Sequence, residues 1–138
     1  MVLSKTILIL EDNLHVLSLL LEKLYVLEQD QPYDFSTIVL TNHQQVQDYV
    51  NANPQAEFDI VLLDRDCKLN ESFHVFDIER FGADKVISIS SVPNYNEDAK
   101  RRGVNKAVLK DFKALDVFVD KVVREVEKMI IPARLLNF

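Results

Sequence analysis

The polar residues best able to do chemistry here follow short apolar runs. Glu11 and Asp12 follow Thr6–Leu10, Asp64 follows Phe58–Leu63, Ser90 follows Lys85–Ile89 and Lys110 follows Lys106–Leu109, with Asp66 two residues past Asp64. Carboxylates gathered at one place repel, by roughly 4 kcal/mol for unit charges about 4 Å apart at an effective dielectric near 20. A divalent cation removes that cost. Oxygen ligands without imidazole or thiolate favour Mg²⁺, or Mn²⁺, over zinc. A carboxylate beside such an ion, a hydroxyl and an ammonium suits phosphoryl chemistry. Asp64 can attack phosphorus and carry an acyl phosphate. The cation and Lys110 would neutralise the phosphoryl oxygens while Ser90 donates a hydrogen bond to one of them.

Each residue also has a plainer role. Glu11 and Asp12 could open a helix, Asp64 could end a strand in a turn, Ser90 could be a satisfied buried hydroxyl, and Lys110 could be solvated. The elements that carry them decide between these roles. Thr6–Leu10 is short, continuous and apolar, as a strand buried on both faces should be. A helix pattern follows, with Leu14, Leu17, Leu20, Leu21, Leu24 and Tyr25 on one side and Asp12 or Asn13 as its cap. The second run is Phe35–Leu40, and Asn42 can cap a helix that ends at Asn53-Pro54. After Asp64 come a polar loop and a short helix to about Arg80, with Gly82 as its C-cap. The fourth run leads to a polar helix opened by Pro93 and ended by Gly103, and the fifth to a long helix over about Phe112–Lys128. Five strand–helix pairs in strict alternation predict an α/β fold, a parallel sheet with helices on both faces, in the flavodoxin-like order 2-1-3-4-5. Ligands in such sheets bind beyond the carboxyl ends of the strands where the order reverses, here between strands 1 and 3. That edge is where Glu11, Asp12, Asp64, Ser90 and Lys110 fall.

Composition narrows the function further. The 138 residues suit a single domain with a core over about residues 5–128 and an apolar tail over 129–138. The two glycines, Gly82 and Gly103, exclude a Walker A loop and a G-x-G-x-x-G dinucleotide loop. One cysteine, Cys67, excludes an internal disulfide and a Cys-rich zinc site, and His15, His43 and His74 show no metal-ligand spacing. A net charge of −6 argues against direct nucleic-acid binding, since the one dense basic group is Lys100-Arg101-Arg102. No run is long enough to span a membrane and no secretory leader is visible, so the expected location is cytoplasmic. Pro132 should end the last helix, and the tail beyond it could fold back or pack on a second subunit as a homodimer contact.

Together these stretches resemble the receiver domain of two-component response regulators, the CheY-like fold. The matching segments are Ile7–Asn13, Asp59–Asp64, Val86–Ser91 and Gly103–Lys110. The resemblance implies that Glu11, Asp12 and Asp64 hold Mg²⁺, that Asp66 lends its backbone carbonyl, and that Asp64 is the phosphate acceptor. Ser90 and Lys110 would be the hydroxyl and lysine of the phosphoryl pocket. It also implies phosphate transfer from a sensor histidine kinase or a phosphotransfer protein and slow autodephosphorylation; with no sequence left for an output domain, the chain is expected to signal through an unknown downstream protein, to relay phosphate, or to be a fragment of a longer chain.

The chain departs from that family at several places. Asp66-Cys67-Lys68-Leu69 replaces the usual Met-Pro stretch, Asp111 replaces the proline after the lysine, and Ala107 stands where an aromatic switch residue is usual. Ser91 replaces a small residue beside the hydroxyl, and the segment from Asp64 to Ser90 is short, which predicts a stunted third helix. The Asp66 carboxylate would oppose an approaching phosphate. These departures leave a second reading open, a pseudo-receiver that works by protein contacts and is not phosphorylated. A hydrolase with an Asp64-x-Asp66 nucleophile motif is a weaker third, because the nucleophile follows the third strand and no cap domain is present.

Overall fold

A computed structural model describes residues 3–66, 73 and 76–130. Strands and helices alternate: β1 (Leu3–Leu10), α1 (Leu14–Gln29), β2 (Tyr33–Leu40), α2 (His43–Ala52), β3 (Ile60–Asp64), α3 (Ile78–Phe81), β4 (Val86–Ser90), α4 (Pro93–Arg101), β5 (Lys106–Leu109) and α5 (Leu115–Ile130). All strand pairs are parallel, and the sheet order is β2-β1-β3-β4-β5, as the alternation predicts.

Side chains alternate across a strand, so each central strand feeds two cores. Ile7, Ile9, Ile60, Leu62, Ile87 and Ile89 pack with α1 and α5. Leu8, Leu10, Val61, Leu63 and Val86 pack with residues of α2, α3 and α4. This double burial is why these strands read as unbroken apolar runs. The register brings Leu10 beside Leu63, Asp64 beside Ile89 and Ser90 beside Leu109. The residues that leave β1, β3, β4 and β5 therefore emerge along one edge.

Local chemistry sets the helix ends. Asn13 caps α1 by accepting from the Val16 N–H at 3.0 Å, and Asn42 caps α2 by accepting from Gln45 at 2.9 Å. Helix α3 is a single four-residue turn, stunted as expected, and it closes at Gly82 with φ 99°. That left-handed conformation favours glycine, and a Cβ there would also stand 3.0 Å from Asp84 Oδ1.

Several boundaries differ from the expectation; β3, for one, begins at Ile60 and not at Phe58. Strand β1 begins at Leu3 and β2 at Tyr33, because the two pair along their whole length from Leu3 with Tyr33 to Leu10 with Leu40. Helix α5 begins at Leu115 and not at Phe112. Asp111 takes up the intervening residues in a turn, its side chain accepting from the Lys113 N–H at 2.9 Å and its carbonyl from Ala114 at 3.2 Å. Cys67, His74 and the tail from 131, including Pro132, lie outside the described residues.

Candidate metal and phosphoryl site

Glu11 follows the last residue of β1 and is buried, with its Oε2 accepting from the Asn13 N–H at 3.1 Å. Asp64 ends β3 and is 1% exposed. Lys110 follows β5, held in line by its own N–H donating to the Ser90 carbonyl at 2.8 Å. Its ammonium donates to Glu11 Oε1 at 3.1 Å and to Asp64 Oδ1 at 3.0 Å. Residues far apart in sequence thus form one buried ionic group.

The group is short of positive charge. Two buried carboxylates face one ammonium, and Asp64 responds by holding its proton. Its pKa is pushed up to about 9, first by burial and then by the neighbouring Glu11 carboxylate, against the pull of Lys110. Burial works against the charge on Lys110, but Asp64 and Glu11 outweigh it and hold the ammonium above the ordinary lysine range.

A cation would correct the imbalance, and the residues fit one. Glu11, Asp12 and Asp64 each offer a carboxylate oxygen, and these oxygens lie within 4.8 Å of one another. Asp64 Oδ2 is buried without a hydrogen-bond partner among the described residues, so the Asp64 carboxylate keeps an oxygen with nothing else to bind. The donor set is all oxygen, which suits Mg²⁺ or Mn²⁺.

Asp66 sits where the spacing alone did not place its side chain. Its N–H donates to Asp64 Oδ1 at 3.0 Å, and its carboxylate reaches across to β4. There it accepts from Ser90 Oγ at 2.6 Å and from the Ser91 N–H at 3.0 Å. Its carboxylate is not one of the three that cluster around the candidate cation position. The expected contribution of Asp66, a backbone carbonyl, leaves the side chain available for these bonds.

A cavity of about 340 Å³ opens over this edge, and its wall carries Asp12, Asp66 and Lys110 beside Val92, Tyr95 and Phe112. The Lys110 ammonium lies 5.7 Å from the centre of the Phe112 ring.

Sequence reasoning missed the polar ties that fix α4 next to this edge. Ser88 Oγ donates to Asn96 Oδ1 at 2.8 Å, and Asn96 Nδ2 donates to the Val108 carbonyl at 3.2 Å. Arg65, buried directly after Asp64, pairs with Asp98 of α4 at 2.8 Å. A serine in the middle of a fully buried strand was the available signal, since such a hydroxyl needs a partner. Ala107, three residues before Lys110, offers no ring to couple β5 to Ser90. His15 is exposed on α1.

No protein-family model matches the chain, and no curated protein sequence matches it. Solved structures do. The bacteriophytochrome response regulator AtBRR matches with a TM-score of 0.62 at 20% identity, over 97% of this chain and 98% of that one. The Mn²⁺-bound form of response regulator Rcp1 matches with a TM-score of 0.64 at 17% identity, over 93% of this chain and 97% of that one. The phosphorylated cyanobacterial phytochrome response regulator RcpA matches with a TM-score of 0.67 at 17% identity, over 91% and 92%. At such identities the likeness is one of fold, and the chain has the fold of response regulator receiver domains.

Proposed function

We propose that this chain is a receiver that accepts a phosphoryl group on Asp64. The observation that carries the reading is the buried group of Asp64, Glu11 and Lys110, two carboxylates to one ammonium, with Asp64 Oδ2 unpartnered and an Asp12 carboxylate oxygen in the same cluster. Glu11, Asp12 and Asp64 would hold Mg²⁺ or Mn²⁺, with the Asp66 carbonyl as a further ligand. Bound there, the ion supplies charge neutralisation for the phosphoryl oxygens and keeps Asp64 ionised as a nucleophile. The donor is a phosphohistidine on a sensor histidine kinase or phosphotransfer protein. An Asp64 oxygen bonds to phosphorus, the phosphorus–nitrogen bond breaks, and the imidazole leaves with its electron pair and takes a proton. Lys110 and Ser90 stabilise the transferred oxygens. Water later cleaves the acyl phosphate. The phosphorylated chain signals to a downstream protein, as one cytoplasmic domain, alone or as a homodimer.

The fold supports this reading, and so does the chemistry of two structures that share it, one Mn²⁺-bound and one phosphorylated. The test is intact mass after incubation with acetyl phosphate and Mg²⁺. Wild type should gain one phosphoryl group, about 80 Da by the stoichiometry of an acyl phosphate, and Asp64→Ala should gain none. No gain together with no Mg²⁺ binding would favour the second reading, a binding module that is never phosphorylated. Asp66 on Ser90 and the lack of a ring at Ala107 are the observations on that side.

A further inference from the structure

The groups that a phosphoryl on Asp64 would need are already turned toward another anion. Ser90 Oγ donates to Asp66 Oδ1 at 2.6 Å. The Ser91 N–H reaches both carboxylate oxygens, at 3.0 and 3.1 Å. The Lys110 ammonium stands 3.7 Å from Asp66 Oδ2. A hydroxyl, a backbone N–H and an ammonium around one anion form the donor set that stabilises phosphoryl oxygens. The backbone explains why Asp66 can reach it. The Asp66 N–H is tied to Asp64 Oδ1 at 3.0 Å, which starts the side chain beside the acceptor. The carboxylate is also partly open to the cavity, with 19% of the side chain exposed, so water can solvate it once it leaves.

We propose that Asp66 is an internal stand-in for the phosphoryl group. It occupies the anion site beside Asp64 and sets how readily Asp64 is loaded. This rests on the receiver reading above. An incoming phosphoryl group must displace a charged hydrogen-bonded carboxylate, or share its donors at the cost of like-charge repulsion. Asp66 is thus a gate on the reaction and takes no covalent part in it. Nothing in the backbone has to move for the gate to open, because a rotation of one side chain frees Ser90, Ser91 and Lys110 together.

The experiment compares wild type, Asp66→Asn and Asp66→Ala. Asparagine keeps the shape and one acceptor oxygen but removes the charge, and alanine clears the site. Binding of beryllofluoride in the presence of Mg²⁺ and the rate of labelling by acetyl phosphate are both measured. Asp66→Ala should bind beryllofluoride about tenfold more tightly and label about tenfold faster, a change of about 1.4 kcal/mol, with Asp66→Asn between it and wild type. A residue with only a structural role would weaken both readouts when replaced. Should Asp66→Ala fail to fold, Asp66→Asn alone carries the comparison. Equal or faster labelling of wild type overturns the gate and leaves the receiver standing. If no form labels, binds beryllofluoride or binds Mg²⁺, the receiver reading falls and the gate falls with it.

Discussion

Lys110 stands 3.0 Å from Asp64 and 3.1 Å from Glu11, so one ammonium serves two buried carboxylates. The pKa of Asp64, about 9 when folded against 3.8 when free, turns that shortage into a pH effect. Between those values the native chain keeps a proton that the unfolded chain has released. Fewer protons bound on unfolding means that stability falls as pH rises across the window. In metal-free buffer the thermal midpoint of wild type should drop between about pH 5 and 8, and Asp64→Asn should flatten that slope. Near neutral pH, Asp64→Asn should melt about 3–8 °C above wild type, because its amide can serve both Glu11 and Lys110 without a charge. Lys110→Met should do the reverse and cost about 3–5 kcal/mol in urea unfolding, since it leaves the carboxylates without a counter-ion. The residues of this group were legible from sequence, because each follows an apolar run of its own. The destination of the Asp66 side chain was not. It depends on Ser90 and Ser91, which reach Asp66 only when β4 lies beside β3.

Helix α4 shows how an element can be fixed by polar contacts within an apolar setting. Asn96 links Ser88 in β4 to the Val108 carbonyl in β5, all of it buried. Asn96→Ala would leave the Ser88 hydroxyl and the Val108 carbonyl short of a partner. A loss of about 1–3 kcal/mol is expected, measured by chemical denaturation, with faster hydrogen exchange in α4. Strand order and helix placement could be read from sequence because alternating apolar runs and helix patterns admit few parallel topologies. The starts of β1 and β2 could not. Ser4, Lys5 and Asp34 carry no apolar signal and are strand because the two strands pair there. The start of α5 was hidden for a similar reason, since Phe112 and Lys113 suit a helix until Asp111 turns the chain.

The chain as a whole carries a net charge of −6, and part of that charge is concentrated at the carboxylate edge of its sheet. Divalent ions should therefore act on global stability and not only on the site. Mg²⁺ at about 100 times its dissociation constant should add about 2.7 kcal/mol of stability by mass action. Glu11→Gln should lose most of that gain, and sodium chloride at matched ionic strength should not supply it. Differential scanning calorimetry with and without Mg²⁺ checks both statements. Among the described residues no helix is long and apolar enough to cross a membrane.

The bond between Lys110 and Glu11 joins residues 99 positions apart. During synthesis the carboxylates leave the ribosome first and their ammonium last. Until β5 has been made and has paired with β4, closing β1 on β3 buries Glu11 beside an Asp64 that must hold a proton with no ammonium to help it give that proton up. The growing chain is thus discouraged from sealing its own centre early. The final strand or a divalent ion taken from the surroundings then lets Asp64 release that proton, so the seam gains its full ionic form only when one of them arrives.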